Sequence, residues 1–93
     1  MQQLEVTVNT PVGLHARPAA NLVQTALAFK ADIFVEKGGR KANAKSILSI
    51  LSLGVHAGER VSFQADGADE IEALAAIETL VANHFGEPVR NEV

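Results

Sequence analysis

The hydrophobic and polar positions of this 93-residue chain follow two different periods. In four segments every second residue is apolar, which predicts half-buried strands at 4–9, 32–37, 40–44 and 59–66. In three segments apolar residues recur every three or four positions, which predicts helices at 16–30, at 46–53 and from residue 69 onward. The order β-α-β-β-α-β-α predicts an α+β fold, with a mostly antiparallel four-stranded sheet covered by helices on one face.

The predicted boundaries rest on local signals. Lys30 suits the negative end of the first helix, and Gly38-Gly39 is a tight hairpin turn. Asp69 and Glu72 have the spacing of a capping box for the third helix. The residues expected to face the core are Leu4, Val6 and Val8 in the first strand, Ala19, Leu22, Val23, Ala26 and Phe29 in the first helix, and Ile71, Leu74, Ile77 and Val81 in the third.

The short second helix carries more apolar surface than one sheet contact needs. Its five apolar residues cover an arc of roughly 220°, whereas a helix on a sheet needs a stripe of about 100°. With Ile50 and Leu53 inward, Ile47, Leu48 and Leu51 face solvent, and we call these three residues the apolar patch. An exposed apolar cluster favours a docking surface. The alternative is a deeper groove or a dimer that buries the whole helix.

Composition excludes several classes of function. The chain has no cysteine, so disulfides and thiolate chemistry are absent, and no Trp or Tyr. Its net charge of −3 without a basic cluster argues against nucleic-acid binding. No apolar run approaches the length of a membrane span, and the N-terminal residues alternate like a strand rather than forming a secretory signal. We therefore expect one cytoplasmic domain over residues 1–88, with a frayed tail at 89–93.

The segment GLHARPAA (13–20) is the strongest candidate for chemistry. His15 precedes the predicted helix, whose first turn has unpaired N–H groups and the positive end of the helix dipole. Such a helix end binds phosphate and disfavours an imidazolium, and Arg17 can add two donors to a phosphoryl oxygen. These features favour a phosphohistidine site. In the alternative, His15 only caps the helix and Arg17 is solvated. His56 and His84 are expected to be structural or exposed, and the three histidines form no recognisable metal site.

Ser46 also has two interpretations. A serine directly before a helix is a good N-cap, and capping alone explains it. A phosphate on its hydroxyl would be stabilised by the same helix end and would place negative charge beside the apolar patch. Phosphorylation there could therefore change the affinity for a partner.

Three motifs together resemble the HPr family, the histidine-containing phosphocarriers of the bacterial phosphoenolpyruvate-dependent sugar phosphotransferase system. They are GLHARPA (13–19), KSILSILSLG (45–54) and GADEIEAL (67–74), and the resemblance covers about residues 3–86. It implies an open-faced β-sandwich in which three helices cover one face of a four-stranded antiparallel sheet. It also implies a carrier without cofactor or metal rather than an enzyme.

The resemblance assigns roles residue by residue. His15 is similar to the phosphoryl acceptor, at Nδ1, and Arg17 to the arginine that supports transfer, while the backbone amides of Ala16 and Arg17 match the phosphate donors. Ser46 is similar to the site modified by an HPr kinase/phosphorylase. The residues matching the docking surface are Ala20, Ile47, Leu48 and Leu51. Val12 departs from the small hydroxyl residue frequent in relatives, so one hydrogen bond to phosphate is expected to be missing.

The implied partners are enzyme I, enzyme IIA components, HPr kinase/phosphorylase and a catabolite-control regulator, acting on a monomer. Three alternatives stay open. The chain could serve the nitrogen-related branch of the same system, or act as a regulatory binding module through Ser46, Leu48 and Leu51. It could also bind a small ligand without covalent chemistry. Relatives that act only through the regulatory serine lack the active histidine, so His15 argues against that class.

Overall fold

A four-stranded antiparallel sheet forms one layer of the computed structural model, which describes residues 1–87. The spatial order of the strands is β1-β4-β2-β3, so the last strand lies between the first and the second. Leu4 pairs with Phe63, and Val35 pairs with Phe63 from the other side. The strands are β1 (Gln2–Thr7), β2 (Asp32–Lys37), β3 (Arg40–Asn43) and β4 (Arg60–Asp66).

Three helices cover one face of this sheet, and the core lies between the two layers. They are α1 (Ala16–Leu27), α2 (Ile47–Leu53) and α3 (Glu70–Ala82), followed by a short turn at His84–Gly86. The other face carries polar side chains such as Glu5 and Ser62, because strand residues alternate between faces. The expected α+β open-faced sandwich is confirmed. None of the helices described is long and apolar enough to cross a membrane.

Helix α1 ends three residues earlier than the spacing of its apolar residues predicts. Phe29 packs against the core from the turn after the helix rather than from its face. The side chain of Asp69 accepts hydrogen bonds from the backbone N–H groups of Lys30 and Ala31, both at 2.8 Å. These bonds hold the turn that leads into β2. The assignment of Lys30 to the helix end is therefore wrong.

Helix α3 begins where expected and buries most of the residues predicted to face the core. Asp69 is at the N-cap position, but its side chain makes no capping bond because it binds the turn after α1, so the predicted capping box is wrong. Ile71, expected in the core, is 66% exposed. Leu74 and Ile77 are buried as expected, Val81 is partly buried against the core, and Ala73 takes the core position that Ile71 was expected to have.

The first strand is shifted toward the N-terminus relative to its prediction. The ends of the other three strands differ from the predicted ends by one residue at most. β1 covers residues 2–7 rather than 4–9, because its partner β4 extends to Asp66 and accommodates Gln2 opposite Ala65. Val8 is buried as expected, but it lies beyond the strand and is held by backbone bonds to Glu59 and Gly58. The tail expected at 89–93 lies outside the residues described.

Candidate functional site

The loop before α1 holds His15 through contacts with the chain that follows α2. The backbone N–H of Leu14 donates to the carbonyl of Val55 at 3.0 Å, and the buried hydroxyl of Thr10 donates to the carbonyl of Gly13 at 2.6 Å. Gly13 has φ +83°, and a Cβ there would lie 2.7 Å from the Cα of His56. The two loops therefore touch through their backbones, which fixes where the chain enters α1.

His15 occupies the N-cap position, but its ring does not cap the helix. Its backbone is extended (φ −81°, ψ −169°), and its carbonyl accepts the N–H of Ala19 at 3.0 Å. The N–H groups of Ala16 and Arg17 have no acceptor among residues 1–87, and Pro18 has no N–H to offer. The first turn contains no acidic residue. Two free donors and the helix dipole therefore point at one place beside the imidazole, an arrangement that suits an oxyanion.

The two ring nitrogens of His15 have different surroundings. Nε2 lies 2.5 Å from Oε1 of Glu87, and both atoms are shielded from solvent. The pair is not aligned as a hydrogen bond, and neither atom has another hydrogen-bond partner among the described residues. The side chain as a whole is 39% exposed, so this exposure belongs to its other atoms. A carboxylate oxygen in this place blocks Nε2 as a nucleophile, which leaves Nδ1.

Sequence reasoning missed Glu87. It follows the third predicted helix, lies outside every predicted element, and is at the opposite end of the described chain from His15. Its side chain is only 16% exposed. The only signal that could have indicated it is the HFG sequence before it, in which an apolar residue precedes a glycine at a predicted helix end.

Arg17 lies in the first turn of α1 with its side chain exposed. Within the described part of the chain, no carboxylate is close enough to pair with its guanidinium. Its donors are therefore available to a ligand. Ala16 beside it is exposed and Ala20 is half-buried. Val12 is 65% exposed in the same loop and has no hydroxyl to offer a phosphate.

Helix α2 confirms its predicted orientation. Ile50 and Leu53 are buried, and Leu48 is the most exposed residue of the apolar patch at 74%. The patch is thus open in the isolated chain. Helix α2 also leads directly into Val55, which bonds the loop carrying His15. The patch and the site therefore belong to adjoining parts of one surface.

Ser46 caps α2 as expected. Its Oγ accepts the backbone N–H of Ser49 at 3.3 Å, and its carbonyl accepts that of Ile50 at 3.1 Å. Gly54 closes the other end of the helix in a left-handed conformation, with φ +69°. Ser46 is half-buried and directly precedes Ile47, the first residue of the apolar patch.

The other two histidines have structural surroundings. The backbone N–H of His56 donates to the carboxylate of Glu59 at 2.6 Å, and this bond, followed by one from Lys37, lowers the pKa of Glu59. The Nδ1 atom of His84 lies 3.4 Å from the carbonyl of Asn9. No group of side chains within residues 1–87 could hold a metal ion.

Comparisons with known proteins agree on one family. Residues 2–83 match the family model described as "PTS HPr component phosphorylation site". The chain is 48% identical over 81 residues to the HPr-like protein Crh of Bacillus subtilis, an alignment that covers 87% of this chain and 95% of Crh.

Solved structures show the same fold. The crystal structure of HPr from Thermoanaerobacter tengcongensis superposes with a TM-score of 0.90 at 47% identity, covering 96% of this chain and all of the other. A crystal structure of Bacillus subtilis Crh, described as a dimer with a swapped domain, has a TM-score of 0.67 at 45% identity and covers 98% of this chain and all of that one.

Proposed function

Because the chain belongs to the HPr family of phosphocarrier proteins, we propose that it relays a phosphoryl group from phosphoenolpyruvate, through enzyme I, to sugar-specific enzyme IIA components. Members of this family are carriers and not enzymes themselves. The group is carried as a phosphohistidine at His15. The observation that supports this assignment is the imidazole at the start of α1, beside two N–H groups without acceptors among residues 1–87.

The proposed transfer is a displacement at phosphorus. The lone pair of Nδ1 attacks the phosphorus held by enzyme I, the bond between phosphorus and enzyme I breaks, and its electron pair stays with enzyme I. The N–H groups of Ala16 and Arg17 and the guanidinium of Arg17 stabilise the negative charge on the phosphoryl oxygens. In the onward transfer, a nucleophile of an enzyme IIA component attacks the phosphorus. The Nδ1–phosphorus bond then breaks, and its electron pair returns to Nδ1.

Intact mass after incubation with phosphoenolpyruvate and enzyme I tests this proposal. Wild type is expected to gain one acid-labile phosphoryl group, and His15→Ala is expected to gain none. His56→Ala is the matched control, because His56 is an exposed loop histidine whose backbone alone approaches the site. No adduct on wild type, or an adduct that persists in His15→Ala, would contradict the assignment.

We also propose that Ser46 is a regulatory site for an HPr kinase/phosphorylase. A phosphate at the N-cap of α2 would interact favourably with that helix end, and it would place negative charge at the edge of the apolar patch. In this proposal the patch, with Ala20, is the surface on which enzyme I, enzyme IIA components and a catabolite-control regulator dock. Its exposure beside the loop that carries His15 supports this role.

A second candidate function is a regulatory module that acts without phosphoryl relay. The 48% identity to Crh favours this candidate, since a crystal structure of Crh names that protein as one connected with catabolite repression. In this case Ser46, Leu48 and Leu51 would carry the output, and His15→Ala would leave that output unchanged. If the chain acts by phosphoryl relay, His15→Ala abolishes its output.

We infer that the carrier works in the cytoplasm as a monomer. The chain pairs β1 with its own β4 and encloses the core among residues 1–87. The swapped dimer described for Crh is the alternative. Light scattering across a range of protein concentrations distinguishes the two, because a monomer keeps the mass of one chain throughout.

A further inference from the structure

The Glu87 carboxylate lies against the nitrogen of His15 that the proposed transfer does not use. We propose that Glu87 is a positioning residue, which accepts the Nε2 proton and keeps Nδ1 unprotonated for attack. In the same position it stabilises the positive charge that the ring acquires when Nδ1 takes up the phosphoryl group. This inference rests on the proposed function, because it assigns a second residue to the same site.

Three contacts place Glu87 beside His15. The ring of Phe85 is completely buried and lies 6.5 Å from that of Phe63, centroid to centroid. The side-chain amide of Asn21 donates to the carbonyl of Phe85 at 2.9 Å. Glu87 itself donates its N–H to the carbonyl of His84 at 3.0 Å. The turn after α3 is therefore attached to the core and to α1, the helix that begins next to His15.

The backbone of this turn indicates that its position is constrained. His84 and Phe85 both have φ +55°, a left-handed conformation that costs non-glycine residues free energy. Gly86 continues the turn at φ +78°, and a Cβ there would lie 2.6 Å from Nδ2 of Asn21. Burial of Phe85 and the Asn21 bond offset this strain. The turn therefore holds Glu87 in one place rather than leaving it to solvent.

The contact between the His15 ring and the Glu87 carboxylate joins two polar atoms that need a hydrogen-bond partner. Nε2 and Oε1 are shielded from solvent and 2.5 Å apart, and neither has another hydrogen-bond partner within residues 1–87. Folded proteins rarely leave two buried polar atoms unsatisfied, so we expect these two to form a hydrogen bond. A carboxylate that accepts from one ring nitrogen fixes the tautomer, so the other nitrogen has the free lone pair.

The same contact stabilises the positive charge that the imidazole ring acquires during transfer. When Nδ1 bonds to phosphorus while Nε2 keeps its proton, the ring becomes cationic, and the Glu87 carboxylate stabilises it. When the phosphoryl group leaves for the next acceptor, the Nδ1–phosphorus bond breaks and its electron pair returns to Nδ1. The ring is then neutral again, with the proton still on Nε2. A histidine–carboxylate pair performs this orienting role in hydrolytic triads.

Nitrogen-15 NMR of the His15 ring in the unphosphorylated protein tests the positioning role directly. Wild type is expected to show the Nε2–H tautomer as the dominant neutral form. Glu87→Ala should lose that dominance, whereas Glu87→Gln retains an acceptor oxygen and should largely keep it. Glu78→Ala is the control, because it removes an exposed carboxylate from α3. Equal tautomer populations in wild type and Glu87→Ala would overturn the proposal.

Rates of phosphoryl transfer from enzyme I then separate orientation from charge. Glu87→Ala is expected to be slower by about tenfold or more, the effect of losing one hydrogen bond to a charged group. Glu87→Gln should also be slow despite its retained tautomer, because its amide is neutral. Wild-type rates in both variants would overturn the charge role. If wild type itself takes up no phosphoryl group, the proposed function fails, and the NMR comparison alone decides whether Glu87 sets the tautomer.

Asn21→Ala provides an independent variant, since it releases the turn without altering Glu87. It should shift the tautomer populations in the same direction as Glu87→Ala. Circular dichroism shows whether the variant still folds. A folded Asn21→Ala with the wild-type tautomer would show that the turn does not position the carboxylate, and would contradict this part of the proposal.

Discussion

Gly13 and Gly58 provide a matched pair that tests whether backbone contact between two loops positions His15. Their φ angles are +83° and +84°, so an alanine pays the same conformational penalty at either place. Their surroundings differ. A Cβ at Gly58 would have no atom of the described residues within 4 Å, whereas one at Gly13 would lie 2.7 Å and 2.8 Å from two backbone atoms of His56. Because backbone cannot rotate away as a flexible side chain can, only Gly13→Ala must displace a loop.

The expected losses of unfolding free energy follow from these contacts. A left-handed alanine costs roughly 1–2 kcal/mol, partly offset by about 0.4–1 kcal/mol from a less flexible unfolded chain. Gly58→Ala should therefore lose about 1 kcal/mol. Gly13→Ala adds the cost of overpacking, about 1–3 kcal/mol, for a total of about 2–4 kcal/mol. That is a large part of the stability of a small domain.

Urea unfolding followed by far-ultraviolet circular dichroism measures the difference, since the chain has no Trp or Tyr for fluorescence. The phosphoryl transfer rate supplies a second measurement. Gly13→Ala should slow transfer, because even a small displacement of His15 misaligns the attacking nitrogen. Gly58→Ala should not. Equal loss of stability in the two variants, or equal transfer rates, would show that the contact between the loops does not position His15.

Three further predictions concern other contacts. Asp69→Asn should destabilise the fold near neutral pH, because bonds from the backbone N–H groups of Lys30 and Ala31 lower the pKa of this carboxyl. A lowered pKa stabilises the fold above the ordinary value of 3.8 and loses its effect as the pH falls through the folded value, so the difference from wild type in urea titrations should shrink in acid. Ser46→Asp should keep the helix cap but slow transfer from enzyme I. Ser46→Ala should lose about 1 kcal/mol of unfolding free energy in urea without slowing transfer. An unchanged transfer rate in Ser46→Asp would contradict the regulatory role. Arg17→Ala should slow transfer by about tenfold or more while leaving the unfolding midpoint unchanged; loss of cooperative unfolding would show a structural role instead.

Features that depend on neighbouring residues could be predicted from the sequence. The orientation of α2 and its Ser46 cap are correct because apolar spacing and a capping hydroxyl act within one helix turn. The Gly38-Gly39 hairpin is correct for the same reason, since both residues adopt positive φ. The position of His15 at the start of α1 also follows from the local order of residues. The site's histidine, helix end and arginine were therefore all accessible to sequence reasoning.

Features set by distant contacts could not be predicted in this way. The end of α1 depends on Asp69, which is close to it only in the folded chain. The apolar spacing continues to Phe29, so it predicts a helix that is too long. Ile71 has helical spacing with the core residues of α3 but is 66% exposed, because the helix turns Ala73, Leu74 and Ile77 toward the core instead. Glu87 reaches His15 only because Phe85 is buried. None of these contacts leaves a periodic signal in the sequence.

The most direct test of the proposed relay is the onward transfer of the phosphoryl group. The phosphorylated protein, freed from enzyme I and phosphoenolpyruvate, is mixed with an enzyme IIA component, and both masses are measured over time. The chain is expected to lose one phosphoryl group while the enzyme IIA component gains one, with little inorganic phosphate. An adduct that remains on the chain, or is released only as inorganic phosphate, would contradict a carrier function at His15.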